Sequence, residues 1–206
     1  MNNFEKALAS TLGEGALAKI QQVKVGIAGA GGLGSNCAQF LVRSGFCSFK
    51  IVDFDRVEYS NLNRQFFFLN QVGEQKVKAL RKNLLAINPD LHIETVTAKI
   101  EQVNIKELFQ DCQAVVEALD RPENKKMVVE AYLPSDKLLV AASGLAGWGR
   151  SDGIKIHKIK ERFFLVGDQV SEVSPDCPPV APGVVVAAAK QADVVLHYFL
   201  TGKGTG

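Results

Sequence analysis

The sequence predicts an α/β fold: a doubly wound Rossmann-like sheet, mainly parallel, with added antiparallel strands near the C-terminus. Short apolar runs alternate with segments of helical spacing, and a glycine-rich turn, Gly29 to Gly34, joins the first run to the first such segment. Strict alternation of apolar and polar residues, around Ile154 and Ile156, begins only after Gly153. Continuous apolar strands are typical of a parallel sheet covered on both faces, and alternation is typical of an antiparallel pair.

The parallel part of the sheet accounts for the first 142 residues. Its five predicted strands are Val23–Ala28, Ser48–Asp53, His92–Thr97, Ala114–Ala118 and Leu138–Ala142. A helix over Ser35–Ser44 follows the glycine turn, and a second begins at Lys76 and is ended by Asn88-Pro89. In such a sheet the ligand binds at the carboxyl ends of the strands.

The remainder of the chain has a different character. Two antiparallel strands are expected around 154–157 and at Phe163–Val166. A proline-rich stretch, Ser174 to Pro182, then precedes an Ala/Val-rich helix over Gly183–Leu200. This helix is apolar nearly all round, so we expect it to serve packing or dimerisation.

Composition excludes several classes of protein. We expect the 206 residues, 1–206, to form a single domain, and 47% hydrophobic and 22% charged residues are typical of a soluble one. A net charge of +2 is too small to predict binding to nucleic acid or a membrane, and no apolar stretch reaches the length of about 20 residues that a membrane span needs. The four cysteines form no CxxC pair, so we expect a cytoplasmic, reduced protein without structural zinc.

The glycine turn is the first candidate site. Backbone N–H groups at the start of a helix favour a phosphate, and glycines let the backbone come close to it. Asp53 ends the second strand about twenty residues later, where a carboxylate can hold ribose hydroxyls. A nicotinamide-binding domain has the same pattern, so this alternative stays open. The candidate nucleotide-binding residues here are Gly29, Gly31, Gly32, Gly34, Asp53 and Asp55.

Two cations lie near this turn in the sequence. Arg64, in the segment Ser60-Asn61-Leu62-Asn63-Arg64-Gln65, has a planar, always-charged side chain that can clamp phosphate. Lys76 can join it if the intervening loop folds back, although a helical lysine is more often solvated. A nicotinamide-binding domain leaves both without a role, so they favour a nucleotide whose phosphates react.

Two further residues are candidates for chemistry. Asp120 follows an apolar run and can hold Mg²⁺ through one carboxylate plus substrate phosphates, or else cap a helix. Cys177 lies in the proline-rich stretch, where we expect an exposed thiol that can act as a nucleophile. A lone cysteine in a loop is inert in most proteins, so this role is an open alternative.

Taken together, these residues resemble the ThiF/MoeB/HesA family, bacterial relatives of ubiquitin-activating enzymes. The resemblance rests on segments that fall in order over nearly the whole chain: Gly29–Ser35, Val52–Glu58, Ser60–Gln65, Val72-Gly73, Lys76, Asn88-Pro89, Asp120, Ala181-Pro182 and Thr201-Gly202. The short length and the lack of zinc ligands resemble the compact ThiF-like branch associated with thiamine biosynthesis.

The resemblance implies an activity and its partners. Members of the family use MgATP to adenylate the C-terminal glycine of a small ubiquitin-like sulfur carrier ending in Gly-Gly, and they act as homodimers. The family's nucleotide contacts map onto Gly32, Asp53, Ser60, Asn61, Arg64, Lys76 and Asp120, with Asp120 on the Mg²⁺. Arg64, Lys76, Asp120 and Cys177 are the candidate catalytic residues. Cys177 falls where ThiF has the cysteine that links to the carrier.

Three departures from the family pattern leave a further alternative open. Arg121 follows Asp120 where the family usually has asparagine. No arginine precedes Arg43, although many members carry an N-terminal one that reaches the partner subunit's ATP, and the two CxxC pairs of most bacterial members are absent. A carrier-docking protein that has lost catalysis is thus an alternative to the enzyme.

Overall fold

A seven-stranded sheet, in the order β3-β2-β1-β4-β5-β7-β6, organises the chain. The computed structural model describes residues 1–202. The strands are β1 Lys24–Ala28, β2 Ser48–Val52, β3 His92–Val96, β4 Ala114–Glu117, β5 Leu138–Ala142, β6 Lys155–Lys160 and β7 Phe163–Gly167. The helices are α1 Asn3–Leu12, α2 Glu14–Gln21, α3 Gly32–Ser44, α4 Lys76–Leu85, α5 Ile105–Leu108, α6 Pro122–Tyr132 and α7 Ala181–Thr201. Short 3₁₀ turns lie at Tyr59–Asn61, Leu69–Gln71 and Ser151–Gly153.

The topology confirms the predicted fold class. Strands β1 to β5 are parallel, and β1 lies between β2 and β4. Strand order reverses at β1, so a crevice opens at its carboxyl end. The predicted antiparallel pair is β6 and β7, but only β6 runs against the sheet, because β7 pairs parallel with β5.

Helices cover both faces of the sheet. One apolar core lies between the sheet and α2, α3, α4 and α7, and a second lies under α5 and α6. On the second face a Cβ at Gly26, in the middle of β1, would lie 2.4 Å from the Phe109 ring. The strand therefore needs glycine there to let the ring reach the backbone. This two-sided burial explains why the central strands read as continuous apolar runs.

Several predicted boundaries were wrong by a few residues. Helix α3 begins at Gly32, inside the glycine turn, and α4 ends at Leu85, before Asn88. The proline-rich stretch was predicted to run to Pro182, but α7 already begins at Ala181. Proline is tolerated in a first helical turn, where its missing N–H would have no intrahelical partner.

Helix α7 is the most apolar helix of the fold. Its 21 residues are enough, by length and composition alone, to cross a membrane, which the shorter predicted helix was not. In the structure α7 packs against α3 and the sheet, and the side chains of Ala187, Ala188 and Val195 are fully buried there. The core helix of a globular domain has the same properties, so they are weak grounds for a membrane span.

Candidate nucleotide site

A cavity of about 860 Å³ opens at the carboxyl ends of the central parallel strands. This volume is in the range of small-molecule and cofactor sites. Most of the predicted residues line it together: Gly29, Gly31, Gly32, Asp53, Asp55, Asn61, Arg64, Lys76 and Asp120. Gly34, Ser60 and Cys177 are not among the residues that line it. The loop that carries Arg64 thus folds back toward the glycine turn. This is the condition under which Arg64 and Lys76 can share one site.

The glycine turn presents the first turn of α3 to this cavity. Gly31 precedes the helix, and no side chain caps this end. The first-turn N–H groups therefore face a cavity without a protein side chain to accept them, which favours an anion.

Gly34 has a packing role rather than a direct one. A Cβ there would lie 1.9 Å from the carbonyl oxygen of Gly29, so only glycine lets α3 approach the turn this closely. Gly29 itself has φ +99°, and a Cβ on it would lie 2.9 Å from the carbonyl oxygen of Ala118. The glycine turn is therefore wedged between α3 and the end of β4.

Asp53 ties the end of β2 to the glycine turn. Its Oδ2 accepts a hydrogen bond from the Ala30 N–H at 2.7 Å, and its Oδ1 accepts one from the Asp55 N–H at 2.7 Å. Burial raises the pKa of Asp53, and the two backbone hydrogen bonds act in the opposite direction. A carboxylate offers about four lone-pair sites, so acceptors remain for ribose hydroxyls.

Lys76 is buried at the start of α4 and points into the same site. Its Nζ lies 2.8 Å from Asp55 Oδ2, and its backbone N–H donates to the Asp55 carbonyl at 2.9 Å. Side chain and backbone together hold the ammonium against the segment after β2. An ammonium has three donors, so this ion pair leaves donors for phosphate.

Arg64 is held by its own loop. Its Nη1 donates to the Ser60 carbonyl at 3.1 Å and to Asn63 Oδ1 at 2.7 Å. The buried Asn61 accepts the Glu58 N–H at 3.0 Å and so closes the 3₁₀ turn beneath the arginine. The guanidinium has five N–H donors, of which these two bonds use only part.

Asp120 follows β4 on the cavity side. Arg121 is the residue before α6 and no side chain caps this helix, so Asp120 does not have the alternative capping role. Two residues of the same turn were not predicted from the sequence: the fully buried Glu117 and its partner Lys125, which lines the cavity. Burial raises the pKa of Glu117, and the Lys125 ammonium opposes this shift.

Cys177 lies outside the cavity lining, in the loop that carries Pro179, which does line it. The thiol is half-buried rather than exposed as predicted, because it packs on Gly147, where a Cβ would lie 2.7 Å from its Sγ. A backbone bridge pairs Gly147 with Pro179 and fixes this contact.

Comparison with known proteins shows which family the chain belongs to. Residues 4–205 match the ThiF family. The chain belongs to the ThiF family.

This chain aligns with only part of the length of its curated relatives. The sulfur carrier protein adenylyltransferase of Thermus thermophilus is 34% identical over 123 residues, 59% of this chain and 45% of that protein. The sulfur carrier protein ThiS adenylyltransferase of Bacillus subtilis is 34% identical over 127 residues, 60% of this chain and 38% of that protein. The chain thus spans less than half the length of these relatives.

A solved structure matches over almost its full length. The E. coli tRNA N6-threonylcarbamoyladenosine dehydratase TcdA in complex with AMP superposes with a TM-score of 0.86, covering 96% of this chain and 94% of that one. At 19% identity this likeness shows the shared fold alone.

The far wall of the ThiF-family cavity was not predicted from the sequence. It comes from the loops after β3, β5 and β7: Ala98, Lys99, Ile100, Ser143, Gly144, Leu145, Ser171, Glu172 and Val173. Asp168 braces the loop after β7, because its Oδ1 accepts the N–H groups of Val170 and Ser171 at 2.9 and 2.8 Å. Its own N–H donates to the Gly144 carbonyl at 3.1 Å and so ties this loop to the one after β5. The polar residue directly after β5 was an available signal, whereas the residues after β7 reach this wall only because β7 runs parallel to β5.

The site offers carboxylates as possible ligands of a metal ion. Among residues 1–202, no group of three or more His, Cys, Asp or Glu side chains could hold a metal ion. Mg²⁺ commonly uses one or two carboxylates together with substrate phosphates. Asp120, which lines the cavity, fits that pattern.

Proposed function

We propose that this ThiF-family chain is an ATP-dependent adenylyltransferase that activates the C-terminal glycine carboxylate of a ubiquitin-like sulfur carrier. The observation that carries the proposal is that Arg64, Lys76 and Asp53 line one cavity with the first turn of α3. The cavity thus combines a carboxylate that can bind ribose, two cations that can bind phosphate and a helix end that favours an anion. This combination suits a nucleotide whose phosphates react. The named activities of the Thermus and Bacillus relatives support the carrier as substrate.

This reaction requires the reactants to be positioned and does not require a general acid or a general base. A terminal glycine carboxylate has a pKa of about 3.3–3.7 and is already ionised at neutral pH. It attacks the α-phosphorus of ATP, an acyl–adenylate bond forms, and pyrophosphate leaves. Arg64 and Lys76 stabilise the charge that develops on the departing phosphates, while Asp53 and the α3 N–H groups orient the nucleotide.

A bound Mg²⁺ would fit beside Asp120 and would neutralise phosphate charge. We further propose a carrier that ends in Gly-Gly and is ThiS-like, and a homodimeric enzyme in the cytoplasm that serves thiamine biosynthesis. We assign Cys177 to a later step, in which its thiolate attacks the carbonyl carbon of the carrier's acyl adenylate, a thioester bond forms and AMP leaves.

Carrier-dependent ATP–pyrophosphate exchange tests the central proposal. We expect exchange with a ThiS-like carrier ending in Gly-Gly and none with the same carrier lacking its final glycine. Calorimetry with ATP and with NAD runs in parallel. Tight binding of NAD without ATP binding would identify a nicotinamide-binding domain instead, and carrier binding without exchange would identify a docking protein.

Partner and pathway need separate measurements. Light scattering gives the oligomeric state directly, and a monomer at working concentration would contradict the proposed homodimer. Exchange rates with a thiamine-pathway carrier and with another Gly-Gly carrier decide the pathway. A preference for the second carrier would overturn the thiamine assignment while leaving the adenylation proposal intact.

A further inference from the structure

A buried ion pair lies directly behind Asp120. Glu117, the last residue of β4, is 0% exposed, and its Oε1 accepts the Leu119 N–H at 2.7 Å. Lys125, on the first turns of α6, places its Nζ 3.2 Å from both carboxylate oxygens of Glu117. The pair thus bridges the two ends of the turn that carries Asp120.

The start of this turn is fixed from its other sides as well. The Glu117 carbonyl accepts a hydrogen bond from Nε2 of the fully buried Gln191 on α7 at 3.1 Å. The Ala118 N–H donates to the Ala28 carbonyl at 2.9 Å, and the Ala118 carbonyl lies against Gly29. The Glu117–Lys125 pair adds a link between two charged side chains, from the end of β4 to α6.

Stability alone does not account for this pair. Removing a carboxylate from water is costly, and an apolar pair of similar volume often gives equal or greater stability. The Lys125 side chain also lines the cavity at 24% exposure, yet its ammonium points back to Glu117. The buried carboxylate therefore fixes the position of the ammonium at the end of the turn.

We propose that the Glu117–Lys125 pair positions the Asp120 carboxylate for the metal ion of MgATP, without itself touching the nucleotide. The inference rests on the proposed function, since it needs a nucleotide with a metal in this cavity. Glu117 and Lys125 are therefore positioning residues. Outer-shell partners that orient a ligand of a metal typically contribute about 10- to 100-fold in metal affinity.

The test is a calorimetric titration of ATP at a series of Mg²⁺ concentrations and again in EDTA. With Lys125→Met we expect the Mg²⁺ concentration for half-maximal enhancement of ATP binding to rise about tenfold. Affinity for ATP in EDTA should stay unchanged. Lys125→Arg, which keeps the cation, should restore the parental Mg²⁺ requirement. The matched control is Lys126→Met, which removes the adjacent, exposed lysine of the same helix and should change neither value.

A second set of variants controls for misfolding and distinguishes a positioning role from a structural one. Glu117→Gln combined with Lys125→Met leaves no unpaired buried charge and should show the same tenfold shift. Asp120→Asn should raise the Mg²⁺ requirement by itself, and adding Lys125→Met to it should raise it no further, because the pair acts through Asp120.

Three results would overturn the inference. A loss of ATP affinity in EDTA with Lys125→Met would mean that Lys125 contacts phosphate directly. Additive shifts with Asp120→Asn would mean that the pair acts elsewhere. An unchanged Mg²⁺ requirement in Asp120→Asn would remove Asp120 as the metal ligand. If the parent protein binds no ATP, it is instead the proposed function that fails.

Discussion

The two halves of the cavity wall are held in different ways. In the β1–β2–β4 half, charged side chains are bonded to the backbone or to each other: Asp53 to the glycine turn, Lys76 to Asp55 and Glu117 to Lys125. In the half built from the loops after β5 and β7, glycines with positive φ and the Asp168 bonds fix the backbone. Both halves expose large apolar side chains: Phe54 and Tyr59 in the first, and Trp148, Val170 and Val173 in the second.

This difference suggests different roles for the two halves of the cavity wall. Charged groups that are pinned before a ligand arrives stabilise developing charge without reorganising, so the first half suits reacting phosphates. Exposed apolar side chains on backbone-braced loops suit contact with a macromolecular substrate. We therefore expect substitutions in the first half to change chemistry most strongly, and those in the second half to leave adenylation largely intact.

The largest expected effect comes from substituting the two cations that can bind phosphate. Arg64→Ala and Lys76→Ala should each slow ATP–pyrophosphate exchange by about 10²-fold or more, the scale for removing one charge-stabilising donor. Thermal melts should remain cooperative, because the Asp55 carboxylate left behind by Lys76→Ala is partly exposed. Exchange at the parental rate in either variant would remove that residue from the proposed mechanism.

Exposed residues of the same type serve as matched controls. Lys82 lies on α4 like Lys76, but is exposed and pairs with Glu74 at the surface. Arg43, in the last turn of α3, is exposed at the end away from the glycine turn. Lys82→Ala and Arg43→Ala should leave exchange within about twofold of the parent, since surface charges contribute little.

The next effect is on stability and tests the packing of the glycine turn. Gly34→Ala places a methyl group 1.9 Å from the Gly29 carbonyl oxygen, so α3 or the turn must shift. We expect a loss of about 1–3 kcal/mol in the free energy of unfolding, the usual cost of overpacking. Gly183→Ala, on α7 beside the second half, meets no atom closer than 3.8 Å and should change stability by about 0.5 kcal/mol or less. Urea denaturation measures both, and equal values for the two variants would contradict the packing argument.

The elements that sequence predicted best are those whose signal is local. Local patterns placed strands β1 to β5 to within a residue at either end. Burial on both faces explains the continuous apolar runs of β1, β4 and β5. Asp53 and Arg64 were found because their distances from the glycine turn suit a nucleotide. Glu117 and Lys125 were missed because their significance depends on a carboxylate being buried behind the site, and the sequence there shows only charges near a strand end.

The two N-terminal helices and the far cavity wall were missed for related reasons. Helix α1 begins with a capping box, in which Asn2 and Glu5 exchange hydrogen bonds, a local signal that was available and not used. The wall residues Ser143 and Ser171 depend on β7 pairing parallel with β5. That pairing is a property of the tertiary structure, so no local pattern predicts it.

The cysteines allow a test of burial across both halves. Burial raises the pKa of Cys37 far above its usual value and that of Cys112 to about 12. At pH 8 these thiols are almost entirely protonated, and the thiolate is the reactive form. Alkylation followed by mass spectrometry should therefore label the half-buried Cys177 first and leave Cys37 and Cys112 unlabelled in the folded protein. Rapid labelling of Cys37 would show that α3 opens readily and would contradict its placement in the core.

The smallest expected effect on adenylation is that of Cys177→Ser. The nucleophile of that step is the carrier's carboxylate, and Cys177 lies outside the cavity lining, so exchange should stay within about twofold of the parent. If the thiol takes the later step that we assign to it, mass spectrometry of the parent with carrier, ATP and a sulfur donor will show a covalent protein–carrier adduct, which Cys177→Ser abolishes. The control is Cys47→Ser, which removes another half-buried thiol far from the cavity and should keep both the exchange and the adduct. An adduct that survives Cys177→Ser would overturn the covalent role, whereas a loss of exchange would mean that the loop carrying Cys177 and Pro179 helps to shape the nucleotide half, so that the two halves of the wall are not independent.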